Sequence, residues 1–289
     1  MKSNANCDII EVLIIVHTVT GITYKKKRRK HRMSIGTGTH RRRRRLTKAE
    51  RKKLIVLGSA AAAVIVFAVL SIITAVMVHR RTLAYQITEI SNDDILKANF
   101  TNADKLMIVA HPDDESIWGG GHLSEGGYLV VCITNGRNEE RRNEFLKAVK
   151  ASGNAPLILD YPDKVNGKRD DWGEVNKHIQ NDVGLLTGYK KWKQIVTHNP
   201  EGEYGHIHHR MLNVIVTNSC EENGMADKLW YFGEYYTKSK LPDVKADLPE
   251  ISAEALELKN TLMECYKSQS KCVDRFRHMA PYENWKKYK

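Results

Sequence analysis

The sequence predicts an α/β domain with a Rossmann-like, mostly parallel sheet that carries helices on both faces, preceded by one transmembrane helix. Two patterns support this prediction. From Leu106 onward, short and nearly continuous apolar runs alternate with amphipathic stretches, which is typical of strands buried on both faces of a parallel sheet. Upstream, Leu54 to Val78 forms an uninterrupted run of 25 residues without a charge.

The charge distribution separates the N-terminal quarter from the rest of the chain. Residues 1–81 hold 19 Lys and Arg against 3 Asp and Glu, whereas residues 82–289 hold 27 against 31. The mild acidity of the larger part argues against a nucleic-acid partner. We therefore expect a basic cytoplasmic tail at 1–53, a membrane helix at 54–78, a linker at 79–103 and the α/β domain at 104–289.

The apolar run is long enough for a membrane span, since roughly 20 residues cross a ~30 Å hydrocarbon core. A buried helix of a soluble domain and a cleaved signal peptide are the alternatives. The 53 preceding residues and the absence of a small-residue cleavage site disfavour a signal peptide. Basic residues crowd the upstream flank at Lys25–Lys30 and Arg41–Arg45, and only Arg80 and Arg81 follow closely. The positive-inside rule thus predicts a cytoplasmic N-terminus and an extracytoplasmic domain.

The basic runs allow a second interpretation, because such clusters also bind nucleic acid. Beside a membrane span they more often act as topology signals and contact membrane lipid. Met33 would begin a shorter sequence of tail and membrane anchor. The first 32 residues therefore need not belong to the natural product.

The predicted elements of the domain alternate along the chain. Apolar runs of strand length are bounded by turn residues, and the longer stretches between them have helical periodicity. The expected strands are Leu106–Ala110, Tyr128–Thr134, Leu157–Asp160, Gln194–Thr197 and Leu229–Phe232. The expected helices are Ser116–Ser124, Asn138–Ser152, Trp172–Leu186, His206–Ser219 and Ala253–Ser268. Doubly wound sheets of this kind bind ligands at the carboxyl ends of their strands.

Polar residues follow two of these strands. The first strand runs into the sequence HPDDE at residues 111–115, and the fourth is followed by HNP and then by EYGHIHH at residues 203–209. Histidine and carboxylate side chains are the usual ligands of a catalytic zinc. Pro112 permits a bend that turns His111 and Asp114 toward one point, and His206 and His209 share a face if a helix begins there. Alternatively, HPDDE is only the acidic first turn of a helix.

The combination of AHPDDE with a downstream YGHxxH resembles the PIG-L/LmbE-like zinc-dependent de-N-acetylases, which include the N-acetylglucosaminyl-phosphatidylinositol de-N-acetylases. The resemblance covers roughly residues 104–270. Three further motifs follow in the same order as in the family. They are the TNG sequence at 134–136, the RxxExxxA pattern that begins at Arg141 and the closing Ser268-Gln269 pair. The resemblance implies hydrolysis of the N-acetyl amide of an N-acetylglucosamine-type sugar conjugate, with Zn²⁺ as the cofactor.

The resemblance also implies a role for each matching residue. Asp113 would be the general base for the attacking water, and His206 would stabilise the oxyanion or protonate the leaving amine. Tyr204 would help to polarise the carbonyl, and Arg141 would contact the substrate unless it is an ordinary exposed helix arginine. The implied zinc ligands are His111, Asp114 and His209.

One departure from the family concerns His208, which occupies a position where many members have aspartate. That carboxylate would orient a neighbouring imidazole, so its absence affects His206 more than it affects zinc binding. His208 is also a rival zinc ligand in place of His209, although the GHxxH spacing favours His209.

Three further expectations remain open. Cys265 and Cys272 are free thiols or, in an oxidising compartment, a disulfide. Tyr235 or Tyr236 stacks on a sugar ring or belongs to the aromatic core. The chain is an enzyme or a non-catalytic, membrane-tethered protein that binds a glycan or a metal, and the carboxylate of Asp113 favours the enzyme.

Overall fold

The computed structural model describes residues 46–289. Residues 1–45, with most of the predicted basic tail and Met33, lie outside the described residues. Helix α1 spans Lys48–Ala84, so it extends beyond the predicted 54–78 at both ends. At its start, the backbone N–H of Glu50 donates to Thr47 Oγ1 over 3.2 Å, which caps the first turn. By length and composition α1 can cross a membrane, and none of its residues is buried.

The last turns of α1 contact the domain that follows. The side chain of Arg137 donates to the carbonyl oxygens of Leu83 and Gln86, each over 2.6 Å, and so satisfies free acceptors at the helix end. Arg81 forms an ion pair with Glu174. The first residues of the predicted linker are thus helical and attached to the domain. A short helix, α2 (Asn92–Ala98), begins at a capping box formed by Ser91 and Asp94.

Within residues 46–289 the strands, in chain order, are β1 Lys105–Val109, β2 Tyr128–Thr134, β3 Ala155–Tyr161, β4 Lys164–Val165, β5 Lys168–Arg169, β6 Gln194–Thr197, β7 Leu229–Tyr231 and β8 Lys286–Lys287. Six of them form the main sheet, in the order β3-β2-β1-β6-β7-β8. Neighbouring strands are parallel from β3 to β7, and β8 is antiparallel to β7. This mostly parallel α/β arrangement confirms the predicted fold class. Strands β4 and β5 form a separate hairpin.

Helices cover both faces of the sheet. Alternate residues of β1 belong to different apolar clusters, with Leu106 and Ile108 in one cluster and Met107 and Val109 in the other. The helices of the domain are α3 Asp114–Gly119, α4 Glu139–Ala151, α5 Asn176–Gly188, α6 Ile207–Glu222, α7 Leu241–Val244, α8 Ala253–Met263 and α9 Ser270–Phe276. Side chains of α5 and α6 complete the first cluster, and side chains of α4, α8 and α9 complete the second.

Several features differ from the prediction. Strand β8 and the short helix α7 were not predicted, and the predicted helix 116–124 ends at Gly119. The last predicted helix, 253–268, ends at Met263, and a separate helix, α9, follows. The β4–β5 hairpin was not predicted because each of its strands has only two residues. Its turn contains Asn166 and Gly167, both with positive φ, which is the usual composition of a two-residue hairpin turn.

A buried ionic network fixes the segment after α3. The carboxylate of Glu283 accepts hydrogen bonds from Lys259 Nζ over 2.7 Å and from the backbone N–H groups of Gly121 and His122 over 2.7 and 3.0 Å. The side chains of Lys259 and Glu283 are almost completely buried. The lysine on α8 and the C-terminal segment thereby hold the end of the short helix that begins at Asp114.

Candidate metal and catalytic centre

The site lies where the strand order reverses. β1 pairs with both β2 and β6, so the chain segments that leave β1 and β6 separate toward opposite sides and open a crevice at the carboxyl edge. The segment after β1 carries His111, Asp113 and Asp114, and the segment after β6 carries His198 and leads to α6. The structure thus brings together the two polar segments that the sequence places at strand ends.

Three donor atoms converge in this crevice. His111 Nδ1 and His209 Nε2 each lie 3.2 Å from Asp114 Oδ2, and the two nitrogens are 3.3 Å apart. Metal bonds of about 2.0–2.1 Å at tetrahedral angles separate two ligand atoms by about 3.3–3.4 Å. The spacing and the nitrogen and oxygen chemistry of these three side chains therefore fit a single metal ion.

The charges around His209 favour a cation at this point. Burial lowers the pKa of His209, but the carboxylates of Asp114 and Glu203 outweigh it and raise that pKa to about 10. Burial likewise acts to raise the pKa of Asp114, yet the positive charge of His209 holds it well below its usual range. A divalent metal would satisfy the same carboxylate charge.

Both imidazoles of the donor set are held at their other nitrogen. Glu203 Oε2 lies 2.5 Å from His209 Nδ1, and His208 Nδ1 lies 3.0 Å from His111 Nε2. His208 in turn places its Nε2 2.7 Å from the carbonyl oxygen of Asp170. Outer contacts of this kind fix the tautomer and the ring orientation of metal-binding histidines. His208 therefore supports His111, and it is not the partner of His206.

A second set of donor atoms lies on the far side of His111. Asp163 Oδ1 is 3.6 Å from His111 Nε2 and 3.9 Å from His208 Nδ1. This set contains the rival ligand His208, and it uses the ring nitrogen of His111 that faces away from Asp114. The two ligand assignments thus correspond to two distinct places in the structure.

Asp113 lies beside the donor set in an unusual backbone conformation. Its φ is 125°, a value that L-residues rarely adopt, and its side chain is almost completely buried. Burial, reinforced by Asp114 and Glu115, raises the pKa of Asp113 well above its usual value, and Arg141 opposes this shift. A carboxylate with a raised pKa is suited to accept a proton from water near neutral pH.

Arg141 is largely buried rather than an ordinary exposed helix residue. Its guanidinium donates to the carbonyl oxygen of Pro112 over 2.5 Å and lies 3.5 Å from Asp113 Oδ2. It therefore holds the bend that carries Asp113, while its Nε has no hydrogen-bond partner among the described residues.

His206 and Tyr204 also line the site. The ring of His206 lies 4.6 Å from that of His111 and 4.4 Å from that of His209. Burial and these two histidines lower the pKa of His206. Its Nε2 contacts Arg169 on β5, and its Nδ1 has no hydrogen-bond partner within residues 46–289. The ring of Tyr204 lies 5.8 Å from the ring of His206, and it also packs against the ring of Phe276.

These side chains line a cavity of about 210 Å³. An adjoining cavity of about 510 Å³ shares four lining residues with it, namely Arg141, Asp163, Lys164 and Gln269. The second cavity is also lined by Leu83 and Ala84 at the end of α1. A substrate that extends beyond the reacting group would find space in this direction. The residues that line the smaller cavity include His111, Asp113, Asp114, Arg141, Tyr204 and His206.

The structure also describes the cysteines and the aromatic residues near the site. The cysteines within residues 46–289, including Cys265 and Cys272, are free. Tyr235 packs against Trp118 and Tyr204 as part of an aromatic cluster beside the site, so a stacking role for it stays a prediction.

Sequence reasoning missed the contributions of Glu203 and Asp163. Asp163 had a usable signal, because it follows the third strand and the carboxyl ends of parallel strands share one edge. Glu203 had no such signal, since its contact with His209 depends on an irregular turn at Gly202–Gly205.

The fold and the site together define an α/β domain with a histidine and carboxylate centre at its topological switch point. Residues 106–220 match the family PIG-L, described as GlcNAc-PI de-N-acetylase, and this match confirms the predicted resemblance over that segment. The chain is also similar to Uncharacterized protein L374 of Acanthamoeba polyphaga mimivirus, with 35% identity over 144 residues. That match covers 44% of this chain and 62% of the relative, less than two thirds of its length.

Solved structures with similar folds include two deacetylases. The A40926 pseudoaglycone deacetylase Dbv21 has 16% identity and a TM-score of 0.48, over 65% of this chain and 98% of that one. A deacetylase of the teicoplanin biosynthesis pathway has 15% identity and a TM-score of 0.49, over 63% and 96%. The conserved protein TT1542 from Thermus thermophilus has 18% identity and a TM-score of 0.44, over 63% and 93%.

Proposed function

We propose that the chain is a zinc-dependent amidohydrolase that removes the acetyl group from an N-acetylglucosamine-type sugar conjugate and releases acetate and a free amine. The observation that carries this proposal is the convergence of His111, Asp114 and His209 beside a buried carboxylate, Asp113, that is not needed as a ligand. A protein that only binds a glycan or a metal has no use for such a carboxylate.

The metal would be held by His111, Asp114 and His209. When bound, it would supply a Lewis acid that polarises the acetyl carbonyl and lowers the pKa of a water molecule toward ~7. Asp113 accepts a proton from the attacking water. Arg141 keeps the Asp113 bend in place through Pro112, 2.5 Å from the guanidinium.

His206 and Tyr204 would act on the carbonyl. Both line the same cavity as Asp113, and we assign them hydrogen bonds to the oxygen that gains negative charge. The proton that Asp113 has accepted then passes to the departing nitrogen, which leaves as an amine while the acetyl carbon retains the oxygen of water as acetate.

We further propose that α1 spans the membrane with the domain on the extracytoplasmic side, and that the substrate lies at the membrane surface. Leu83 and Ala84 line the cavity next to the catalytic one, and only four residues separate them from the apolar run that ends at Val78. At 1.5 Å per residue, Leu83 lies only about 8 Å along the helix from Val78. A sugar conjugate held at the bilayer would therefore reach the site.

The proposed activity is tested with the full-length chain in detergent or lipid discs. We expect bound zinc close to one equivalent, and amine and acetate released in equal amounts from a panel of N-acetylglucosaminides that differ in the aglycone. Removal of the metal with a chelator should abolish release, and added Zn²⁺ should restore it. Stoichiometric zinc without amine release from any member would instead favour a non-catalytic binding protein.

The orientation is tested by protease added to intact cells. An extracytoplasmic domain should be degraded before lysis, because the basic flank of α1 stays in the cytoplasm. A cytoplasmic protein of the same cells serves as the control for intactness. Protection of the domain until lysis would overturn the orientation and leave the proposed chemistry unaffected.

A further inference from the structure

The segment between β6 and α6 contains a buried carboxylate that serves two histidines at once. Glu203 Oε2 lies 2.5 Å from His209 Nδ1 and 3.0 Å from His198 Nδ1, while Oε1 accepts the backbone N–H of Asn199 over 3.0 Å. The contacts with the two histidines are enclosed, since the side chains of Glu203, His198 and His209 have no exposed surface. The Glu203 carboxylate therefore forms its hydrogen bonds with residues of the site and not with solvent.

The backbone at Glu203 is strained in order to make these contacts. Its φ of 53° and ψ of −65° lie outside the regions that L-residues favour. Asn199 holds the conformation, because its Oδ1 accepts the backbone N–H of Glu203 over 3.0 Å. Strain of this kind persists where the surrounding structure fixes it, and it is concentrated at functional sites. A glycine would adopt the same backbone without strain but would lack the carboxylate.

The contact with His209 determines which of its nitrogens is available. Because Glu203 accepts the proton on Nδ1, the lone pair of the neutral ring is on Nε2, which faces Asp114 and His111. His198 is oriented in the same way, since its Nε2 accepts the backbone N–H of Ala110 over 3.0 Å and its Nδ1 then donates to Glu203.

We propose that Glu203 is a positioning residue that orients His209 for metal binding and ties it to His198 at the end of the neighbouring strand. The inference rests on the proposed function, since it assumes that His209 is a ligand. Loss of an outer hydrogen-bond partner of a metal-binding histidine typically weakens metal binding by about 10–100-fold.

The test is zinc affinity, measured on the full-length chain by competition with a chromophoric chelator, together with the melting temperature of the metal-free protein. Glu203→Ala and Glu203→Gly should both bind Zn²⁺ about 10–100-fold more weakly than the parent. Glu203→Gln should lose least, because its amide oxygen still accepts the proton of His209. Glu203→Gly should melt at a higher temperature than Glu203→Ala, because only glycine relieves the strain.

Asp182 provides a matched control. It is a buried carboxylate that accepts hydrogen bonds from Tyr161 over 2.6 Å and from the backbone of Ile90 over 3.0 Å. It does not contact the metal-binding residues. Asp182→Asn should lower the melting temperature and leave zinc affinity unchanged.

The outcomes separate the two proposals. Zinc affinity within threefold of the parent in both Glu203→Ala and Glu203→Gly would reject the positioning role alone. Equal weakening in Asp182→Asn would also reject it, because the effect would then follow general destabilisation. A parent chain that binds no Zn²⁺ would reject the metal site and the positioning role together.

Discussion

Asp113→Asn is expected to lower the turnover number by roughly 10² or more while zinc content and folding stay near those of the parent. Asparagine has nearly the same size and still forms hydrogen bonds, so the packing of this buried side chain is kept. It cannot accept a proton as a carboxylate does. The structure supports this separation, because Asp113 belongs to none of the groups of mutually close donor atoms found among residues 46–289, whereas His111, Asp114 and His209 do.

The measurement is metal analysis and amine release on the same preparation. His206→Ala is a useful companion, since it should also spare zinc, and the two substitutions should be non-additive if both residues act in one transition state. Turnover within a few-fold of the parent in Asp113→Asn would show that Asp113 is not the general base. Loss of zinc would make Asp113 a ligand and exchange the roles of the two aspartates.

His209→Ala is expected to lose bound zinc, with a larger effect than the roughly 100-fold that removal of an outer partner produces. Asp114→Ala should behave in the same way, because a site with three protein ligands rarely tolerates the loss of one. His208→Ala should retain zinc and lose at most roughly 100-fold in zinc affinity, because His208 contacts only the outer nitrogen of His111.

The pair His208→Ala and His209→Ala is matched, since both residues are histidines in the first turn of α6 and both are fully buried. Zinc content after dialysis and affinity by chelator competition distinguish them. Full occupancy in His209→Ala with loss in His208→Ala would move the metal to the set formed by His111, Asp163 and His208.

The sequence predicted the parts of the fold that depend on patterns within short segments of the chain. Apolar runs placed the five longer strands, and the alternation of strands and helices gave a parallel sheet, from which the meeting of the segments after β1 and β6 follows. The HPDDE and YGHxxH spacings then supplied the candidate ligands. Each of these inferences uses neighbours within a few residues or a general rule of α/β topology.

The contacts that sequence could not predict join distant or conformationally unusual residues. Glu203 reaches His209 only because its φ is positive, a property that the identity of a glutamate does not reveal. His208 pairs with His111, 97 positions earlier, in place of the expected effect on His206. The ionic network of Glu283 with Lys259 and Gly121 likewise depends on where the C-terminal segment packs.

The backbone of Asp113 has a consequence for how this protein responds to selection. A φ of 125° costs an L-residue free energy that glycine would not lose, and buried ionisable groups add a desolvation cost. Heat tolerance alone therefore favours replacing the very side chain that performs the proton transfer, whereas turnover requires it. Engineering programmes that rank variants by thermal survival would accumulate well-folded but inert proteins at this position, and an activity screen is needed at every round.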